Sequence, residues 1–287
     1  LKTKIRTGTQ SPVAAAWIAL VLLSTFLSAQ TFIMEPPPEA NLRVGLLYLR
    51  PDYAADVNQT IRMSTLSGSY DFYARIPMLR GLNMVISMPL IVKASDGESI
   101  ASGIGNFYLG IRTRPDSIAN NYSVFSVGLC LPTATSKRPV EFMGVFANFY
   151  KPQKALSDVL TLDGNFLYFK KQHRGIYLGF EIGPQVFIPV KSGGGSTNLI
   201  GHYGICGGYR FTNFAVGGEI LGLANVTDSF NSFGERFDHS VAFGAQLVEY
   251  PIRPALFYQF VISDQNTELA QDILNGIVAM RLEVTWR

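Results

Sequence analysis

The sequence predicts an all-β fold: a transmembrane antiparallel up-and-down β-barrel of about twelve strands, with long external loops and short periplasmic turns. Three observations predict it. From Leu42 onward apolar residues recur with period two. The connections between these runs alternate between long and short. The chain is 47% hydrophobic and only 16% charged, with a mean hydropathy of +0.18. Yet beyond the N-terminal thirty or so residues no run of about eighteen apolar residues appears, as a membrane helix would need. The apolar character is therefore spread over strand faces.

Residues 1–29 read as a cleavable secretory signal peptide. Lys2, Lys4 and Arg6 form a basic start, Val13 to Leu27 an apolar core, and Ala29-Gln30 a cleavage point. An uncleaved anchor helix is the alternative. Residues 30–41, with the Pro36-Pro37-Pro38 run, read as an extended N-terminal segment. Residues 42–287 form the barrel domain.

The strands follow in order. After Leu42 to Leu49, Tyr70, Phe72, Ala74, Ile76 and Met78 alternate with Ser69, Asp71, Tyr73 and Arg75. Leu82, Met84, Ile86 and Met88 alternate with Asn83 and Ser87, and Phe107, Leu109 and Ile111 oppose Asn106 and Arg112. Phe125 to Leu131, Leu160 to Tyr168, Leu178 to Ile188, Tyr203 to Phe211, Ala215 to Val226, Val241 to Leu247 and Leu256 to Ile262 continue the pattern. The last run sets Val278, Met280, Leu282, Val284 and Trp286 against Arg281, Glu283 and Thr285. Successive side chains of a strand point to opposite faces, and roughly ten residues cross a bilayer in a tilted strand. The even count puts both barrel ends of the chain on one side, expected to be periplasmic.

Among the connections, 79–81, 171–175, 212–214 and 250–252 are short, 95–103 is longer, and 50–66, 132–157, 227–239 and 263–276 are long. Glu268 to Leu274 has helix formers followed by Asn275-Gly276, a plausible C-cap. Phe142 to Tyr150 is apolar and aromatic; an extra strand, a short helix folded over the barrel and a loop packed into its mouth all fit. Pro184 and Pro189 predict a local bulge.

One face of the sheet is apolar and rich in Tyr, Phe and Trp, which suits lipid and interfacial girdles. The other carries Gly, Ser, Asn and single charges, which suits a wet lumen. Backbone groups in lipid must all pair internally, so the sheet must close. The final strand, with Trp286 one residue from the end, resembles the C-terminal signal read by the barrel-assembly machinery, although Arg287 departs from a terminal aromatic. Expected partners are thus the bilayer, that machinery and an unidentified small solute.

By parity the candidate lumen-lining residues are Asp71, Arg75, Asn83, Asn106, Arg112, Asp163, Asn165, Glu181, Gln185, Glu219, Gln246, Gln259, Arg281 and Glu283. On the lipid face each charge would be destabilising by up to a few kcal/mol. Inside, they form either an ion-pair network that fills a narrow barrel or the lining of a solute path. Both signs are present, which predicts no strong ion selectivity.

Other chemistry is weighed against the same residues. The 24 basic and 21 acidic residues give a net charge of +3 without a basic stripe, so no nucleic-acid partner is expected. Two cysteines, Cys130 and Cys206, and three histidines make no metal spacing; the cysteines read as small buried hydrophobes, and no cofactor is expected. His239-Ser240 suggests a lipase or protease pair, but adjacent strand residues face opposite ways, so His202 and His239 read as rim histidines in water. Lys191 to Ser196, rich in Gly, lacks the Gly-Lys-Ser/Thr of a phosphate loop.

Two short motifs carry a resemblance. Gly103-Ile-Gly-Asn-Phe-Tyr-Leu-Gly-Ile-Arg112 resembles the Gly-x-Gly-Asp/Asn strand opening of the transporter family assigned to the phenol-degradation meta pathway. Leu129-Cys-Leu-Pro-Thr133 resembles that family's Leu-Pro-Thr-Gly, with Ala134 where Gly is usual. The family belongs to the outer-membrane channel class that includes hydrophobic-compound and fatty-acid channels. The resemblance implies a barrel and passive or facilitated uptake of small organic molecules, hydrophobic or aromatic ones among them, without establishing phenol as substrate. A structural or surface-interaction barrel with a closed lumen is the alternative function, and an outer-membrane lipase or protease the third.

Overall fold

The computed structural model describes residues 42–53, 64, 66–79, 81–95, 100–114, 121–170, 174–191, 196–227, 237–248, 250–263 and 274–286. The expected signal peptide and the extended segment fall outside these residues.

The period-two runs form antiparallel strands. They are β1 (Leu42–Tyr53), β2 (Gly68–Pro77), β3 (Leu82–Ser95), β4 (Ile100–Ile104), β5 (Phe107–Thr113), β6 (Asn121–Leu131), β7 (Val159–Lys170), β8 (Gly175–Pro189), β9 (Asn198–Arg210), β10 (Phe214–Asn225), β11 (Phe237–Leu247), β12 (Ile252–Ser263) and β13 (Leu274–Trp286). Consecutive strands pair, except β4 with β5, and β1 pairs with β13 from Leu42↔Trp286 to Tyr53↔Leu274, which closes the ring. β4 and β5 both pair with β3. They are two pieces of one wall strand, broken at Gly105-Asn106, so the wall has twelve strands. Among the described residues no helix is long and apolar enough to cross a membrane.

We call the end where β1 starts and β13 finishes the lower end, and the opposite end the upper. Met78 to Gly81, Phe211 to Asn213 and Val248 to Pro251 connect strands at the lower end. The long segment between β6 and β7 leaves from the upper end.

Burial follows the alternation. Phe72, Ile111, Phe125, Leu178, Phe180, Ile205, Phe243, Leu256 and Met280 are exposed on the outer face. Tyr209, Phe211, Phe214, Tyr250 and Trp286 are exposed near the lower rim, where Phe211 stacks on Phe214 with ring centroids 4.3 Å apart. The inner face is less polar than the sequence suggests. Leu47, Leu49, Val124, Leu167, Phe169, Tyr177 and Phe257 are buried inside with the polar residues. Inner-face glycines serve this packing: a Cβ on Gly128 would lie 2.1 Å from the Tyr108 hydroxyl. The small residues therefore let aromatic rings lie flat on the neighbouring strand, rather than leaving open water.

Three local expectations are corrected. The stretch 95–103 is not all connection, because Ile100–Ile104 continues the ladder against the upper part of β3. Pro184 and Pro189 make no bulge. β8 keeps one register against β9 from Gly175↔Arg210 to Phe187↔Asn198, and Pro184 falls where the ladder to β7 lapses between Asp163↔Gln185 and Phe166↔Ile182. The irregularities lie instead at Asp52/Tyr53 and between Ile91 and Ala94, where Lys93 has φ 49°. Asn275 and Gly276 cap no helix; they are β13 residues, with Gly276 opposite Asp52. Leu274 opens that strand, and the rest of the expected helix, 268–273, lies outside the described residues.

Candidate functional site

The segment between β6 and β7 turns inward. Helix α1 (Arg138–Ala147) starts with Pro139 in its first turn and is followed by a 3-10 turn at Pro152–Lys154. None of the three arrangements compatible with Phe142 to Tyr150 is found as stated: the segment is helical up to Ala147, as in one, but packs into the mouth, as in another. α1 buries Val140 and Met143 against Ile91 and Ala94 of β3, with Ala155 closing the cluster. Phe142 and Phe146 pack on Tyr53 at the upper end of β1, both with centroids 6.3 Å away. Beyond the helix the chain descends, and Tyr150, Lys151, Gln153 and Lys154 are all buried.

The plug is anchored by the two motifs that carry the family resemblance. Asn106 sits in the wall break, wholly buried. Its backbone N–H donates to the Lys154 carbonyl at 2.7 Å. Its Nδ2 donates to the carbonyls of Gln153 and Leu156, each at 2.7 Å, and its Oδ1 accepts from Ala134 N–H at 2.7 Å. Thr133 Oγ1 accepts from Phe107 N–H at 2.8 Å and donates to the Gly105 carbonyl at 3.2 Å. A Cβ on Gly105 would lie 2.3 Å from the Lys154 carbonyl oxygen, so only glycine admits the plug backbone this close to the wall.

Buried polar contacts continue from plug to wall. Lys154 forms an ion pair with Asp71. Gln153 Nε2 donates to Asp163 at 3.4 Å. The Tyr150 hydroxyl reaches Glu181 at 3.2 Å and the Tyr203 carbonyl at 2.9 Å. Asn148 Nδ2 donates to Ser69 Oγ at 3.2 Å. Burial pushes the Lys151 ammonium down from its ordinary value, while Asp163 pulls it back up. Burial, and then Glu181, raise the Tyr150 phenol.

All fourteen residues assigned by parity are buried. The plug gathers Asp71, Asn106, Asp163 and Glu181 directly, and Asn165 joins through Glu181 at 3.4 Å. Gln185 is fully buried, and neither amide atom has a hydrogen-bond partner. Glu219 is buried at mid-height on β10, and Gln259 donates to Ser240 at 2.7 Å. At the lower end, Arg281 donates to Gln246, and Glu283 accepts from Arg43 at 3.3 Å and from the Tyr73 hydroxyl at 3.1 Å. Arg75, Asn83 and Arg112 are buried on β2, β3 and β5 at that end.

Sequence reasoning missed Arg43, which strand parity alone reveals. It also missed Lys151 and Lys154, which lie in a segment without periodicity and so carry no such signal. His202 is corrected. It is not a rim histidine in water but is buried edge-on to Tyr150, with centroids 5.8 Å apart, because the plug covers it. His239 and Ser240 diverge: His239 bonds the Tyr203 hydroxyl at 2.6 Å, whereas Ser240 is buried and bonded to Gln259. Cys130 and Cys206 are free and buried. Among the described residues no group of His, Cys, Asp and Glu is placed to hold a metal.

No protein-family model and no curated protein matches the sequence. Solved structures do match in fold. An outer membrane channel from Pseudomonas putida F1 superimposes at a TM-score of 0.59 and 11% identity, over 90% of this chain and 100% of that one. The NanC porin matches at 0.46 and 9%, over 86% and 99%. The translocator domain of the autotransporter NalP from Neisseria meningitidis matches at 0.45 and 12%, over 96% and 98%. With the closed wall and the first of these likenesses together, the fold is that of a closed twelve-stranded antiparallel β-barrel, shared with that outer membrane channel.

Proposed function

We propose that the protein is an outer-membrane channel for passive or facilitated passage of small organic solutes, resting with its plug in place. The observation that carries this reading is the inward segment itself. It is held to the wall by apolar packing, individual polar contacts and, among the described residues, an ion pair, and is not built into the sheet. Lipid-facing apolar residues and the aromatic lower rim support placement in an outer membrane, reached through a signal peptide and assembled through the C-terminal strand. In that setting the lower end faces the periplasm. The Pseudomonas putida F1 protein of like fold is an outer membrane channel, which agrees with this reading, and the motif resemblance extends it to hydrophobic or aromatic solutes.

The test is reconstitution of the full chain in liposomes and planar bilayers. Solute-driven swelling and discrete conductance steps are expected, both larger when the plug is loosened by Lys154→Met. Absence of flux in both forms sinks the channel and leaves the structural barrel. That second reading is favoured by one observation: a cavity beside the plug, lined by Arg75, Arg112 and Lys151, holds only about 30 Å³.

A further inference from the structure

The plug covers polar groups of the wall that it does not bond. Strands β7, β8 and β9 lie side by side. On them Thr161, Gln185 and His202 face inward in the upper half of the barrel, at most 1% exposed. The Thr161 hydroxyl, both amide atoms of Gln185 and both ring nitrogens of His202 have no hydrogen-bond partner among the described residues. Register brings the three together. Gln185 stands opposite Asp163, two residues from Thr161 on the same face. His202 stands opposite Gly183, two residues from Gln185, where glycine presents no side chain. Diagonal neighbours of this kind are within reach of long side chains. The plug lies over this patch. Tyr150 meets His202 edge-on with centroids 5.8 Å apart. Gln153 donates to Asp163, and its carbonyl accepts from the Cys130 thiol at 3.5 Å, with Cys130 opposite Thr161.

The charged groups around the patch have charged neighbours. Lys154 pairs with Asp71. Lys151 faces Asp163, Glu181 and Asp71, as well as Lys154. Glu181 faces Lys151 and Arg112, and also Glu219. What lacks partners on β7 to β9 is neutral. A polar group shut away from water without a partner costs its full desolvation penalty, and native structures carry few such groups without a reason. Here five such atoms meet on three adjacent strands, beneath a segment that is not part of the sheet.

We infer that Thr161, Gln185 and His202 line the solute path that opens when the plug leaves the wall, and that they select uncharged solutes carrying amide or hydroxyl groups. This extension rests on the channel reading. A hydroxyl, a primary amide and a neutral imidazole each both donate and accept, which matches such solutes and water alike. Docking the plug strips that water away, so these residues oppose closure, while Asn106 and the Lys154–Asp71 pair hold the plug down against them.

The first test is amide hydrogen exchange of α1 in the full chain in detergent micelles. Gln185→Met and His202→Phe remove unmet groups with little change of shape. Each should slow that exchange about tenfold, the effect of relieving one unsatisfied group. Unchanged or faster exchange in a variant that keeps heat-modifiable gel mobility overturns the inference. The second test is labelling of Gln185→Cys with a water-soluble maleimide, mapped to position 185 by mass spectrometry. Labelling should be slow with the plug docked and fast when Lys154→Met is added; equal rates overturn the lining. Selection is read from liposome swelling by Lys154→Met in acetamide and in sodium acetate, which are alike in shape. Faster swelling in acetamide is expected, and equal swelling overturns the selection. No flux of either probe, with exchange and labelling as expected, removes the channel and leaves the covered surface. Flux without those two changes keeps the channel and removes the surface.

Discussion

Asn106 shows how one side chain can decide the state of a lumen. Its amide supplies both donors and its acceptor to three points of the plug. Replacement by Ala strands buried carbonyls, at about 1–3 kcal/mol for each unsatisfied group. We expect Asn106→Ala to leave the wall intact but to raise amide hydrogen exchange across residues 132–158 selectively; unchanged protection there would refute the anchoring role. Lys154 poses the complementary case. Lys154→Met leaves Asp71 buried without its cation, a loss of about 3–5 kcal/mol. The double variant Lys154→Met, Asp71→Leu should recover most of that loss in urea unfolding, because the buried charge is then gone. A double variant as unstable as the single one would show that the pair acts through packing alone.

At the level of elements, α1 depends on one apolar stripe. Met143 is wholly buried against β3. Met143→Ala should cost the plug about 2–5 kcal/mol, visible as faster proteolysis within 132–158 while the barrel still resists. Equal sensitivity of wall and plug would contradict their independence. The wall strands have their own constraint. Gly128→Val should drive Tyr108 off the neighbouring strand and lower the temperature at which the folded band is lost, because its Cβ meets the ring. Retained mobility at the wild-type temperature would mean the ring moves freely. The broken wall strand belongs here too. The opening between β4 and β5 lets the backbone of Lys154 reach Asn106, so a lapse in the sheet is where plug and wall join.

For the whole molecule, closure through β1 and β13 leaves no unpaired edge at that junction and turns an apolar belt outward. The unheated protein should therefore migrate faster than the boiled protein in detergent gels, and loss of this shift on deleting β13 would confirm that closure is its cause. A soluble sandwich would show no shift. Conductance should be small at rest, since the plug fills the upper lumen, and should rise in the plug variants before the barrel itself unfolds.

Most of the wall was legible from the sequence alone: which residues face outward, which face inward, and a count of about twelve strands. A two-residue repeat is a local property that neighbouring strands must share, so Asp163 and Glu181 could be assigned to the interior from their own runs alone. The two short motifs were legible as well, though not their purpose. The tertiary structure decided what fills the interior. Residues 132–158 carry no period, and whether they lie over the mouth or inside it depends on contacts with β2, β3 and β7, far away along the chain. Parity could count charges of both signs, but only closure of the ring set the arginines and Glu283 toward one end and the other buried acids above them. Height in a barrel is fixed by register between strands, and register is a long-range property.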